Sequence, residues 1–151
     1  MQSNLANTYH RLERLEEAMR LRREVYSGCE KLHGIEHSHT IAAAINYAGS
    51  LKRLGQFKEA RSLLRKTLPV ARRILGDTHE YVLRTRSLYA EAFYMDEGAT
   101  LSDLREAVTT LEDTERIARR VMGGAHPLKG IIEDCLQNAR AVLRAREAGT
   151  V

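Results

Sequence analysis

The chain repeats itself, and the period limits what it can fold into. Ala18 in LEEAMRL is followed 42 residues later by Ala60 in FKEARSL, and Gly34 and His37 are followed by Gly76 and His79 at the same spacing. Leu5-Ala6, Tyr47-Ala48 and Tyr89-Ala90 hold that register through three copies. Ala107 and His126 then lie 47 residues beyond Ala60 and His79, so the third unit carries five extra residues. The surplus falls between Ala90 and Ala107, where MDEGATLSD is polar, contains glycine and suits a longer turn. A period of this length is the signature of a solenoid, in which each unit buries its apolar side only by stacking on its neighbours.

Within a unit the apolar positions fall into two helical stripes. Ile41, Ala44, Ala48 and Leu51 form one, and Phe57, Ala60, Leu64, Thr67/Leu68, Ala71 and Leu75 form the next. Both follow the i, i+3, i+4, i+7 spacing of a helix with one buried face. Leu54-Gly55-Gln56-Phe57 reads as a tight reversal, with glycine at a left-handed helix terminus. Gly76 and the Gly123-Gly124 pair are expected to stop the second helices in the same way. Seven helices follow, over about 2–13, 15–33, 38–54, 57–75, 79–97, 101–122 and 127–147. Ala18, Ala60 and Ala107 fall where helices approach most closely. Pro69, inside the fourth helix, removes a backbone donor and crowds the carbonyl of Arg65, which predicts a kink over 65–69.

Composition narrows the function classes. Aromatic residues are 5% with no Trp, against 43% hydrophobic residues overall, which favours Leu/Ala-rich helices over a β architecture. The formal charge is +4, with both signs interleaved along every segment, as on a solvated helical surface. Cys29 and Cys135 form neither a disulfide framework nor a metal-spaced pair, and MQSNLANTYH is no signal peptide. No apolar run approaches the length of a membrane helix. These features together predict a cytoplasmic protein.

NLANTYHRLERLEEAMRL…LHGIEH and INYAGSLKRLGQFKEARSLLRK…ILGDTHE resemble the 42-residue tetratricopeptide units of kinesin light chains. The resemblance spans residues 3–143. It implies an all-α fold, a right-handed α–α superhelix of about three helix pairs plus a C-terminal capping helix, in a single domain over 1–151. The units would be about 1–36, 37–78 and 79–125, with the cap at 127–147. Departures from the family pattern are the insertion in the third unit and Glu13, which replaces the usual turn glycine of the first. The first helix begins almost on Met1, so either the array extends upstream or its N-terminal face is partly uncovered.

The resemblance also implies a role as a protein-interaction scaffold, with the first helix of each pair lining a concave groove that takes an extended peptide. Its candidate positions are Asn4, Asn7, His10 and Arg11 in the first unit and Asn46, Lys52 and Arg53 in the second. Arg84, Ser87, Glu91 and Tyr94 follow in the third, and Asp134 and Asn138 on the closing helix. Asn amides can both donate to and accept from an extended backbone, and Arg and Lys attract carboxylates. In related chaperone-binding repeats an Asn at the position of Asn4 and Asn46 helps clamp a C-terminal carboxylate, and Arg84 stands at a basic clamp position. Ala42 and Leu88 occupy other clamp positions, so an acidic or mixed peptide is the expected partner. The alternatives are nucleic-acid binding through the basic surface, disfavoured by the lack of stacking aromatics beyond Tyr94, and a self-associating module. In the latter case the chain is a monomer or a weak homodimer through the N-terminal helix.

No enzymatic chemistry stands out. His33, His37 and His39 invite a metal reading, but His37 recurs as His79 and His126, each three residues after a glycine, which marks a turn-stabilising role instead. No metal or cofactor is expected. Cys29 has no His/Asp constellation to activate it. Arg22-Arg23, Arg65-Lys66, Arg72-Arg73 and Arg119-Arg120 read as structural charges near helix C-termini.

Overall fold

The structure, a computed structural model, describes residues 2–149, with side chains from Leu5 onward. Its elements are α1 (Gln2–His33), α2 (Ser38–Arg53), α3 (Phe57–Leu75), α4 (Glu80–Tyr94), α5 (Leu101–Val121) and α6 (Pro127–Gly149), with no strand among the described residues. Consecutive helices pack side by side, and α4 also packs on both α2 and α6. The result is two stacked layers: α2, α4 and α6 inside, α1, α3 and α5 outside. This is an all-α repeat superhelix.

Six helices stand where the sequence pattern predicts seven. The first two are one continuous helix of 32 residues. The cause lies at one position. In the second unit Gly55 adopts φ 76°, and the amides of Gly55 and Gln56 close the turn on the carbonyls of Lys52 and Leu51 at 3.0 and 2.9 Å. Placing a residue with a Cβ in that conformation costs about 1–2 kcal/mol. Glu13 occupies the corresponding site in RLERLEEA, a run of strong helix formers with no breaker, and the helix continues through it.

Other expectations shift by smaller amounts. The fifth predicted helix ends at Tyr94 rather than near residue 97, because the inserted stretch forms its own turn. That turn ends in a capping box: Thr100 Oγ1 accepts from the Asp103 amide, and Asp103 returns the contact to the Thr100 amide. Gly76 stops α3 with φ 90°, but Gly123 and Gly124 do not act likewise. Neither has positive φ, and α5 ends because Met122 turns extended (φ −109°, ψ 140°). Pro69 does not interrupt α3 and stands on its exposed side.

The two stripes predicted from periodicity, on α2 and α3, lie in the interfaces and meet apolar residues of the neighbouring helices. Leu51, Ala60 and Met19 meet in one buried cluster, Ile41, Ala71 and Val82 in a second, and Phe93, Ala107, Leu111 and Leu136 in a third. Ala60 and Ala107 are at most 1% exposed, as close helix approach requires. Four of the six buried hydroxyls among the described residues are satisfied within their own helices, Thr67, Thr85, Ser87 and Thr114 each donating to the carbonyl four residues back. Thr40 donates to the Cys29 carbonyl of α1 at 3.2 Å, and Ser50 accepts from Arg22. α1 packs against α2 alone, leaving Leu5, Tyr9, Leu12, Leu21 and Val25 exposed.

Candidate functional site: the inner-layer groove

The three inner helices face a common cleft of about 240 Å³. Its floor is apolar, from Ile45 of α2, Leu88 of α4 and Leu128 and Ile131 of α6; its rim is charged, from Lys52, Arg84 and Glu91. Ile131 is 49% exposed, a large aliphatic side chain held open to water in the same cleft as the charged rim. The helical register explains the arrangement. Residues three and four apart share a face, so Arg84, Ser87, Leu88 and Glu91 project together from α4.

Several candidate residues are engaged with one another. Lys52 Nζ lies 2.7 Å from Glu91 Oε2, with both side chains below 20% exposed, so this pair ties α2 to α4 across the groove. Tyr94 faces Cys135 and Asn138 of α6, and burial pushes its phenol well above the ordinary tyrosine range. Burial, reinforced by the Glu91 charge, pushes the Cys135 thiol up to about 11. Such a thiol stays protonated near neutral pH and is no activated nucleophile. The Lys52–Glu91 pair, Tyr94, Cys135 and Asn138 are thus polar neighbours drawn from three helices. Cys135 is legible in the sequence only as a core residue, because its Glu91 and Tyr94 partners lie on another helix.

The remaining candidates divide. Arg84 is exposed and pairs with Glu80 at 3.3 Å, one turn earlier. Ser87 lines the cleft but is 2% exposed, and its hydroxyl is taken up by the Leu83 carbonyl at 3.1 Å. Asn46, Arg53, Asp134 and Asn138 are exposed on α2 and α6. Asn7, His10 and Arg11 do not reach the groove. They lie exposed on the N-terminal half of α1, a helix of the outer layer, because the fusion at Glu13 prevents them from forming an inner helix of their own. Asn4 shares that half of α1, and its side chain lies outside the described residues.

The outer arginines are mostly occupied between helices. Arg23 donates to Tyr47 Oη and Arg65 to Tyr89 Oη, both at 3.1 Å, the same contact one repeat apart. Arg22 donates to Ser50 Oγ at 2.7 Å, Arg72 pairs with Asp77 at 2.6 Å, and Arg73 pairs with Glu36. A larger cleft of about 610 Å³ lies between α5 and α6, but three of its four arginines are paired: Arg116 with Asp113 at 3.2 Å, Arg119 with Glu115 at 2.6 Å and Arg140 with Glu112 at 3.1 Å. It lacks an apolar floor. The rings of His33, His37 and His39 gather within 5.7 Å of one another, yet no group of side chains suited to hold a metal occurs among the described residues. Among those residues no helix is long and apolar enough to cross a membrane.

The stacking of helix pairs on a 42-residue register has its counterpart in known proteins. A family model described as tetratricopeptide repeat matches residues 1–71 and 39–98. The chain belongs to the tetratricopeptide-repeat family. Two solved structures of nearly identical tetratricopeptide-like repeats from a putative kinesin light chain of Podospora anserina have the same fold. One, of a point variant of those repeats, aligns with a TM-score of 0.53 at 19% identity, over 99% of this chain and 88% of that one. The other aligns with a TM-score of 0.53 at 20% identity, over 99% and 94%. No curated protein gives a significant match. Tetratricopeptide repeats are generally protein–protein interaction scaffolds rather than catalysts, and this chain is built on that scaffold.

Proposed function

We propose that this chain holds an extended segment of a protein partner along α2, α4 and α6, in the cytoplasm. One observation carries the reading: on the inner layer an apolar floor of Ile45, Leu88, Leu128 and Ile131 lies beneath a charged rim. The floor takes an apolar side chain of the partner. Arg84 and Arg53 draw its carboxylates, and Asn46 and Asn138 meet its backbone, which favours an acidic or mixed segment. The Lys52–Glu91 pair fixes the spacing between two groove helices, so its part is to shape the groove rather than grip the partner. The engagement of the outer arginines, Arg23 and Arg65 with tyrosines of the next helix and Arg72 with Asp77 of the following turn, weighs against nucleic acid as the ligand.

A displayed random-peptide library selected on the wild-type protein and on Leu88→Glu/Arg84→Ala tests this. The expected result is a set of peptides retained by the wild type and lost on the variant, with helicity unchanged. Peptides retained equally by both proteins, or none enriched on the wild type, would remove the groove as the binding site.

A further inference from the structure

The 42-residue register assigns residues 2–12 a place they do not occupy. Ala6 and Tyr9 correspond to Ala48 and Leu51 of α2 and to Ala90 and Phe93 of α4. Those four equivalents are 0%, 1%, 0% and 5% exposed; Tyr9 is 61% exposed and Ala6 is exposed as well. The complementary surface is only partly covered. Ala60 and Thr67 on α3, which packs against α2, are 0% and 7% exposed, whereas their equivalents on α1 are the half-buried Ala18 and the 57% exposed Val25. Two faces that the repeat pattern presses together are thus both at least partly open to water on one helix, and the residue separating them, Glu13, replaces a turn glycine.

We infer that α1 is the open form of an α–α hairpin, which closes when the helix breaks at residues 12–14 and residues 2–11 fold back onto the Ala18 and Val25 face, beside α2. A second copy of the chain is the competing occupant, and helix geometry disfavours it. Ala6 and Ala18 are twelve residues apart, which places them about 120° apart around a continuous helix at about 100° per residue. Two straight copies of α1 laid side by side therefore cannot turn both faces toward each other. A reversal at Glu13 brings the faces together within one chain, as Gly55 does for α2 and α3. Closure adds a fourth helix to the inner layer and carries Asn7 and Arg11 alongside Asn46 and Arg53. That last consequence rests on the groove reading; the hairpin itself does not.

Disulfide trapping tests the closure without any ligand. In a Cys29→Ser background, Tyr9→Cys and Ala18→Cys place two thiols nine residues apart, about 14 Å along a straight helix, whereas a disulfide needs Cα atoms within about 7 Å. In the closed form they meet as Leu51 and Ala60 do in their shared cluster. Under mild oxidation at low protein concentration, the expected product is a monomer that has lost two thiols to alkylation. Adding Glu13→Gly is expected to raise the rate of its formation several-fold. Thiols that remain fully alkylatable in both proteins, or that join only between two chains, would overturn the proposal. The peptide selection above reads the groove separately, so failure of one leaves the other standing.

Discussion

Each inner helix is opened by an imidazole. His37 Nδ1 accepts from the His39 amide at 3.1 Å, His79 Nδ1 from the Tyr81 amide at 3.0 Å, and His126 Nδ1 from the Leu128 amide at 3.2 Å. The His37 cap works only while Nδ1 carries no proton, which ties the start of α2 to pH. Burial, then the neighbouring charges of His33 and His39, holds His37 below the ordinary histidine value. The folded chain thus binds that proton less readily than the unfolded chain. Its contribution is complete above the ordinary value, near 6.5, and is lost as pH falls through the lowered one. His37→Asn, which caps without titrating, should flatten the fall in Tm between pH 7 and pH 5 seen in the wild type by thermal melts. His79→Ala should cost about 1 kcal/mol in urea unfolding at neutral pH, and His79→Asn should recover most of it. The spacing of these histidines marks a turn-stabilising role in the sequence; the acceptor atom does not show there, since it depends on the extended backbone at each cap.

At the scale of the element, helix existence is legible in the sequence and helix separation is not. Apolar periodicity locates the buried stripes of α2 and α3, because burial of one face is what each helix gains by stacking. The division of α1 escapes it because the repeat register and the local residues disagree there. Register asks for a turn at Glu13, while RLERLEEA offers a helix with no left-handed residue, and in this structure the local preference prevails. α3 shows the reverse: Pro69 argues locally against a helix, and packing on α2 and α4 holds the element together. The local penalty persists even so. Pro69→Ala, at an exposed site, should restore a donor to the Arg65 carbonyl and raise unfolding free energy by up to about 3 kcal/mol, measured by denaturant titration.

Across the whole molecule the groove shows the same division. Lys52, Arg84 and Glu91 are expected at the groove because the family resemblance assigns it to the first helix of each pair, and all three line the cleft. The partners within it are not legible in the sequence, since the Lys52–Glu91 pair and the Tyr94–Cys135 contact join residues far apart in sequence. Asn7 and Arg11 belong to the groove only on the strength of a hairpin that α1 does not show here. Glu91→Ala should cost about 1–3 kcal/mol, because it strands a largely buried ammonium, whereas a Lys52→Met/Glu91→Leu double variant should cost less than the single change; urea unfolding of both proteins compares them.

The two ends of the array are held unequally. At one end Arg146 of α6 donates to the carbonyls of Ala99 and Glu97 at 2.7 and 3.1 Å, stitching the last helix to the inserted turn. At the other, α1 rests on α2 alone. In a linear stack stability is passed between neighbours, so thermal opening should run like a zipper from the front. Amide hydrogen exchange followed by mass spectrometry should show deuterium uptake fastest over α1, slower over α2 and slowest across α4 and α5. The chain would then reveal its interior surfaces in a fixed sequence, from first repeat to last.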